Sequence, residues 1–403
     1  MLSKEQQQAV NLILAGNNLF INAVGGTGKS YLIQEACKQL KNYVVLGTTG
    51  IAATNVNGCT IHSFFGVNPY GIAIHELRNN ERLGYRSPDT RAMWQATRTI
   101  IIDEISMMRA DLLDACDLIL KRNGCEGLDS KQLIFIGDLG QLTPILAGKE
   151  ETKLYYTLYN GLSFKDSEIY KNSDFKEITL THIFRQSDVE YKHQLDLIRQ
   201  SKMNYLLPYF NQFVKLSPNP NSVIIAGFNE VVDKYNKEGL NQINEPLITL
   251  EGETKGLFKE KDFLTTKTLQ VKHGCRIMYL KNDKDLGLNN GTLGTLIIQE
   301  GVLYIKPDGE NQQMLPIVPV EFEYKEYHSV VDDVTKQIKP ILKTVSTLKQ
   351  FPIKLCYALS VHKCQGLSLA NVTLDIRRKL IAPNSLYVAL SRVTSPEGLT
   401  ILV

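Results

Sequence analysis

Apolar positions along this chain follow two different periods, and the change between them marks its organisation. Short continuous apolar runs recur across the first 180 residues: "LFINAV" (19–24), "VVLG" (44–47), "TIII" (99–102) and "LIFIG" (133–137). Runs of this length and make-up predict strands covered on both faces, as in a parallel sheet. The stretches between them read as helices; in "SYLIQEACKQL", Leu32, Ile33, Ala36 and Leu40 fall on one helical face. The same alternation returns after about residue 181 in "SVIIAGFN" (222–229), "IKLCYALS" (353–360), "NVTLD" (371–375) and "LTILV" (399–403). From about residue 270 to 350 the pattern shifts to short alternating strands, "GCRIMYL", "GTLGTLIIQE", "VLYIKPDG" and "VPVEFEYKEY", joined by Gly, Asn and Asp turns. That reads as a small antiparallel barrel inserted into a second α/β domain. The expected boundaries are 1–180 for the first domain, interrupted at about 66–94, and 181–403 for the second.

The first apolar run ends in chemistry. "AVGGTGKS" (23–30) joins a strand to a helix through glycines, and apart from Ala23 in the first position it fits the phosphate-loop spacing G-x-x-x-x-G-K-[ST]. Gly25, Gly26, Thr27 and Gly28 let backbone N–H groups wrap phosphates; Lys29 reaches the β/γ-phosphates and Ser30 ligates Mg²⁺. The helix N-terminus adds favourable partial charge for an anion. Such a loop requires an acid at the end of a neighbouring strand, and "TIIIDE" supplies Asp103 to hold Mg²⁺ through water and Glu104 to polarise the attacking water. A third strand ends in "GDLGQ", placing Asp138 and the γ-phosphate sensor Gln141 at the edge where parallel sheets build their ligand sites.

Composition narrows the class. The 403 residues carry a formal charge of +3, so the total says little about partners. The distribution says more: Val334–Leu374 holds six lysines (336, 339, 343, 349, 354, 363) and no acid, which suits either a solvated face or a phosphate-backbone track. Seven scattered cysteines without a Cys-x-x-Cys pair argue against a disulfide framework or a zinc site. The start "MLSKEQQQAV" has neither secretory nor transit character and no apolar run reaches membrane-span length, so a cytoplasmic protein is expected.

Taken in order, the motifs resemble those of superfamily 1 DNA helicases of the 5′-to-3′ branch, the group containing the PIF-type, RecD and Dda helicases. "LSKEQ" (2–6) is similar to the adenine-reading Q motif, with Gln6 on the base, and "AVGGTGKS" to motif I. "TTGIAA" (48–53) and "TIHSF" (60–64) resemble strand-track motifs, which makes Thr48, Thr49, Thr60 and His62 candidate DNA contacts and Phe64 a candidate for base stacking. "DEISM" and "GDLGQLTP" resemble motifs II and III. "LTHIFRQ" (180–186) resembles motif IV with Arg185 on the γ-phosphate, and "YVALSRV" (387–393) motif VI with Arg392 as second arginine contact. "ALSVHKCQG" (358–366) resembles motif V, with His362 and Lys363 toward the strand and Gly366 toward the phosphates.

The resemblance implies two RecA-like parallel-sheet domains in tandem, a wedge insertion in the first (about 66–94, with Pro69 and four arginines) and an SH3-like β-barrel insertion in the second (about 270–350). It implies ATP and Mg²⁺ as cofactors, single-stranded and forked duplex DNA as partners, no membrane, and a monomer in solution that can pair on DNA. ATP is expected in a cleft whose closure drives a ratchet along the strand. Two alternatives stay open: a translocase that does not separate strands, and an adaptor that binds ATP without turning it over. Glu104, Gln141, Arg185 and Arg392 argue against the adaptor, since each serves hydrolysis.

Overall fold

The apolar runs of the first half form one sheet, and their alternation explains how it is covered. The structure is a computed structural model that describes residues 2–68, 71–146, 148–201, 208–260, 263–283, 285–308, 313–332, 337–378, 380 and 384–403. Pro69 and Lys336 lie outside the described residues. In chain order the first strands are β1 (Asn18–Ala23), β2 (Tyr43–Gly47), β3 (Cys59–Thr60), β4 (Thr99–Asp103), β5 (Gln132–Gly137) and β6 (Phe175–Leu180). They lie side by side in the order β3-β2-β4-β5-β1-β6, and every pairing is parallel.

Successive side chains of a strand point to opposite faces. Phe20, Val44, Leu46, Ile100, Ile102, Leu133 and Phe135 enter one buried cluster; Leu19, Ile21, Ala23, Val45, Ile101, Ile134 and Ile136 enter another. Both faces are apolar because both are covered, which is why these strands read as continuous runs. Helices Lys4–Leu14 and Lys29–Cys37 supply the second cluster with Ala9, Val10, Ile13, Leu32, Ile33 and Ala36. The first is started by a capping box: the Ser3 hydroxyl accepts from the Gln6 N–H, and the Gln6 side chain accepts from the Ser3 N–H.

The segment expected to form the wedge contains helices Ala73–Asn79 and Pro88–Ala96, the latter capped by Ser87 with Pro88 in its first turn. Its far end belongs to the core. Met93 and Trp94 are buried, and Trp94 stacks on Phe65 at 6.0 Å between centroids.

The chain packs into two units, Met1–Phe184 with Lys325–Thr344, and Arg185–Tyr324 with Val345–Val403. The return of Lys325–Thr344 to the first unit differs from the sequence expectation, which placed it wholly in the insertion. This stretch docks beside β2 where the two-residue β3 stops short of it. The Val45 N–H donates to the Tyr327 hydroxyl at 3.0 Å, the Ser63 hydroxyl donates to Glu326 at 2.9 Å, and the Tyr327 ring meets Phe64 edge-on at 5.7 Å. A strand position without a paired neighbour otherwise leaves such an N–H for solvent.

The second unit contains β7 (Val223–Ala226), then β8 (Ile248–Glu251), β9 (Glu253–Gly256), β10 (Thr268–Val271), β11 (Arg276–Tyr279), β12 (Leu293–Gln299), β13 (Val302–Pro307) and β14 (Leu315–Ile317). The long strands β15 (Val320–Val331) and β16 (Ile338–Gln350) are shared with the first unit through Lys325–Thr344, and β17 (Ile353–Leu355), β18 (Ala358–Ser360), β19 (Val372–Asp375) and β20 (Leu399–Leu402) follow in the second. A parallel sheet runs β18-β7-β19-β20; an antiparallel one runs β14-β13-β12-β11-β17. Antiparallel pairing starts earlier than the expected residue 270, because Ile248–Glu251 already pairs with Thr268–Val271.

The basic run Val334–Leu374 is divided between the two units. Lys339 pairs with Asp332 at 2.6 Å in the first unit. In the second, Lys349 lies 4.0 Å from Glu253, and Lys354 is half-buried, its ammonium pushed below the usual range by burial. Alternating strand geometry and acidic neighbours from distant segments break up a charge run that sequence alone makes continuous.

Candidate active site

The C-terminal ends of β1, β4 and β5 meet where the sequence placed the nucleotide. Gly26 and Gly28 have φ of +88° and +78°, so the loop turns through conformations that favour glycine. At Gly28 a side chain would also collide, since a Cβ would lie 2.9 Å from the Gln6 amide nitrogen. Helix Lys29–Cys37 starts from Gly28 without a side-chain cap. Its first N–H groups therefore remain suited to an anion. Thr27 is buried and its hydroxyl donates to the Val24 carbonyl at 2.8 Å.

Lys29 lies 3.6 Å from Glu104, both side chains being largely buried. Asp103 accepts the Glu104 N–H at 2.9 Å. Glu104 itself has φ of +54°, an uncommon conformation for a non-glycine residue and one that concentrates at functional sites. The Asp103 carboxyl is pushed up to about 7, by burial first and by the neighbouring Glu104 charge, while Lys29 acts in the opposite sense. Two acids held out of water suit a divalent cation. The donor set of Asp103 and the half-buried Ser30 hydroxyl is all oxygen. Among the described residues no cluster of three His, Cys, Asp or Glu could cage a metal. That inventory fits Mg²⁺, which keeps several waters and takes phosphate oxygens.

Asp138 was placed at a strand end by the sequence but given no role. It is fully buried, accepts the Gly25 N–H at 3.0 Å and the Gly140 N–H at 2.9 Å, and accepts the Gln141 amide at 3.2 Å. It fastens the phosphate loop to the turn that carries Gln141. The signal was an acid ending an apolar strand, which only a buried N–H partner makes tolerable.

Gln6, expected to read the base, has partners in the first helix and the phosphate loop. It is 2% exposed, and its amide is committed to Ser3 and to the carbonyls of Thr27, at 3.0 Å, and Gly28, at 3.5 Å. Here it ties the first helix to the phosphate loop. Phe64 also departs: it is 5% exposed and packed against Phe65, Trp94 and Tyr327. No base can stack on a ring whose faces are occupied, so Phe64 is core.

The candidate track residues keep their position but have partners. The Thr48 hydroxyl donates to the Glu104 carbonyl at 3.0 Å, and the Thr48 N–H to the Asp103 carbonyl at 3.4 Å. The Thr49 and Thr60 hydroxyls accept the N–H groups of Ala52 and Ser63, each starting a short helix. His62 is half-buried; burial, and after it the Arg109 charge, push its imidazole below the usual range. A neutral ring offers a phosphate a hydrogen bond rather than a charge.

The second unit gathers the remaining motifs. Strand β18 runs into the turn Val361–Cys364, which exposes His362 and Lys363 and buries Cys364. Gly366 follows with φ of +82°. Arg185 donates to the Ser368 hydroxyl at 2.8 Å, the Gly366 carbonyl at 3.3 Å and the Ser391 carbonyl at 3.4 Å. Gln186, which the sequence reading passed over, donates to the carbonyls of Ser391 and Val393 at 2.9 and 3.1 Å. Arg392, expected as a second nucleotide contact, is held by groups of its own unit. It is 1% exposed and donates to the Val388 and Leu367 carbonyls at 2.8 and 3.3 Å and to the Ser391 hydroxyl at 2.6 Å. A guanidinium so enclosed holds the 366–369 turn to the helix Ser385–Leu390.

Comparison with known proteins gives the family. The model of the PIF1-like helicase family matches residues 1–206, and that of the viral superfamily 1 RNA helicase core domain matches residues 291–401. The chain is 28% identical to the ATP-dependent DNA helicase Pif1 of Campylobacter jejuni, covering 96% of this chain and 89% of that protein. It is similar to the crystal structure of Bacteroides sp Pif1 with ADP-AlF4, at TM-score 0.85 and 27% identity over 100% of this chain and 92% of that one. For Bacteroides Pif1 bound to ssDNA the TM-score is 0.66 at 29% identity, with the same coverage. With the family model spanning more than half of the residues and a phosphate loop, acid pair and glutamine seated where that chemistry needs them, the chain belongs to the PIF1-like helicase family.

Proposed function

We propose that this ATP-dependent DNA helicase translocates 5′ to 3′ on single-stranded DNA and opens duplex or structured DNA, including quadruplexes and R-loops, ahead of it. The observation that carries the reading is the join between Thr48 and Glu104: a candidate strand-track residue is hydrogen-bonded to the backbone of the candidate catalytic base. Such a join gives DNA a direct route to the hydrolytic group. The relatives support the polymer, since Bacteroides Pif1 has been solved bound to ssDNA and another similar structure concerns DNA unwinding at forked dsDNA by two coordinating Pif1 helicases.

In this reading Lys29 leaves Glu104 when phosphates arrive, and Glu104, no longer neutralised, orients the attacking water. Mg²⁺ held by Ser30 and, through water, by Asp103 would neutralise charge on the phosphates. Gln141, fixed by Asp138, senses the γ-phosphate, and Arg185 stabilises the transferring phosphoryl group. The Phe184 N–H donates to the Gly26 carbonyl at 2.9 Å, tying the 184 end of the first unit to its phosphate loop. His362, Lys363, Thr49, Thr60 and His62 contact the strand. Phosphate contacts dominate, so sequence preference is weak.

The test is a duplex carrying either a 5′ or a 3′ single-stranded tail, with RNA–DNA hybrid and quadruplex arms. Unwinding only from the 5′ tail is expected. Unwinding only from the 3′ tail refutes the polarity, and ATP hydrolysis without any separation favours a bare translocase.

A further inference from the structure

One lysine of the Val334–Leu374 run carries a charge that the protein does not neutralise. Lys354 is the middle residue of β17 and stands opposite Met278 of β11. Directly opposed residues of an antiparallel pair share a face, as do alternate residues along each strand. Ile277, Tyr279 and Ile353 enter the core of the antiparallel sheet. Lys354, Met278, Arg276 and Cys356 therefore point to the opposite face. That face is covered as well, since Met278 and Cys356 are buried.

Arg276 shows what a cation on this face ordinarily receives. Its guanidinium donates to both oxygens of Asp308 at 2.6 Å each, and to the Asn221 carbonyl at 3.4 Å. Elsewhere in the lysine run, Lys339 and Lys349 have acids beside them. Lys354 has none. Among the described residues its ammonium makes no hydrogen bond or ion pair, although the side chain is half-buried. Burial pushes the Cys356 thiol up to about 11, so it stays neutral and supplies no counter-charge. Burial, and in the same sense the charge of Lys363, hold the Lys354 ammonium below its usual range. Lys363 is exposed in the Val361–Cys364 turn, next to His362. Two like charges, one of them half-buried, oppose folding rather than support it. Their arrangement is complete only when an anion lies against both.

We propose that Lys354 is a further contact to the DNA backbone, taking with Lys363 one phosphate of the single strand. The inference rests on the reading that the 362–363 turn faces that strand. A compact ammonium on a flexible stem suits a phosphate, which fixes the position of the polymer and carries no sequence. The phosphate supplies the counter-charge that Asp308 gives to Arg276.

The experiment uses the full chain and an unstructured oligothymidylate, with binding followed by anisotropy over a series of salt concentrations. Each phosphate neutralised on a single strand contributes about 0.7 to the slope of log affinity against log salt. Lys354→Met should therefore lower that slope by about 0.7 and weaken binding about fivefold at about 0.1 M salt, with the difference closing toward about 1 M. Lys354→Arg keeps the charge and should restore both. Urea denaturation of the DNA-free protein gives the second readout. Removing a charge that has no partner should leave the midpoint of Lys354→Met at or above the parent value, whereas a lysine that serves the fold would lower it. The proposal is overturned if Lys354→Met keeps the parent slope, as it would if the two lysines held a free phosphate ion instead. It is equally overturned if Arg fails to restore the slope, or if the Met midpoint falls. A parent protein that does not bind the oligonucleotide, or binds it without salt dependence, would instead refute the strand track itself, whatever the variants do.

Discussion

The phosphate loop of the first unit and the 366–368 turn of the second both follow parallel strands, yet they spend their hydrogen-bond donors in opposite ways. In the first, glycines turn the backbone into a helix start without a side-chain cap, and Lys29 is balanced by Glu104. In the second, guanidinium groups turn onto carbonyls of their own unit: Arg185 onto Gly366 and Ser391, Arg392 onto Leu367 and Val388. The first site is built to receive an anion, the second to hold its own backbone in shape. Within the second, the two arginines differ. Arg392 is enclosed, whereas Arg185 is half-exposed and its carbonyl contacts are at 3.3 and 3.4 Å. Long contacts at a wet edge exchange cheaply for a phosphate; a buried guanidinium does not.

That contrast breaks most visibly at Arg185. If it serves the transferring phosphoryl group, Arg185→Ala lowers kcat for ATP by about 10³ or more while leaving ATP affinity and melting temperature near the parent. A variant that melts early but hydrolyses normally would put Arg185 in the same structural role as Arg392. Lys29→Ala tests the first region. It should lower hydrolysis by about 10²–10³, the scale of one lost charge-stabilising donor. Binding of single-stranded DNA, measured by anisotropy, should be retained. Parent-level hydrolysis would show that the phosphates sit elsewhere.

Arg392 gives the complementary result. Arg392→Met removes the guanidinium from the carbonyls of Leu367 and Val388, of which Val388 keeps the Ser391 hydroxyl as donor, and a buried acceptor left unmet costs about 1–3 kcal/mol. The denaturation midpoint in urea should therefore fall, with a smaller change in kcat per folded molecule than Arg185→Ala produces. An Arg392 variant of unchanged midpoint and abolished hydrolysis would restore it as a direct nucleotide contact.

How far the sequence reached follows the same division between near and distant causes. The phosphate loop, the acid pair and the doubly covered sheet were legible because each is set by neighbours: glycines at fixed spacing, strands ending in acids, apolar runs of strand length. What stayed hidden depends on segments far apart in the chain. Tyr327 lies 282 residues from the Val45 N–H that it satisfies. Nothing in "EFEYKEY" announces that its tyrosine will finish the edge of the first sheet. Gln6 and Arg392 were assigned by motif, and a motif does not carry burial. Their polar groups turned inward because carbonyls 21 and 25 residues away stood within reach. Phe64 shows the converse, since an aromatic after a short strand has equal local grounds for core or surface until Trp94 and Tyr327 close over it.

The finest test concerns Thr48, where the two kinds of donor meet. Its hydroxyl donates to the carbonyl of Glu104, whose backbone is held at positive φ. Thr48→Val keeps the shape and removes the donor. One neutral hydrogen bond contributes about 1 kcal/mol net, so DNA-stimulated hydrolysis should drop by only about fivefold. Thr48→Ser, which keeps the hydroxyl, should stay near the parent. Stimulation, the ratio of rates with and without oligonucleotide, is the informative quantity. If the bond positions Glu104 whether or not DNA is present, both rates fall together and the ratio holds. If it is the route by which the strand reaches the base, the ratio falls and the DNA-free rate does not, because without a strand there is no signal to lose. A proportional fall would detach Thr48 from coupling and leave it as a support for an uncommon backbone conformation.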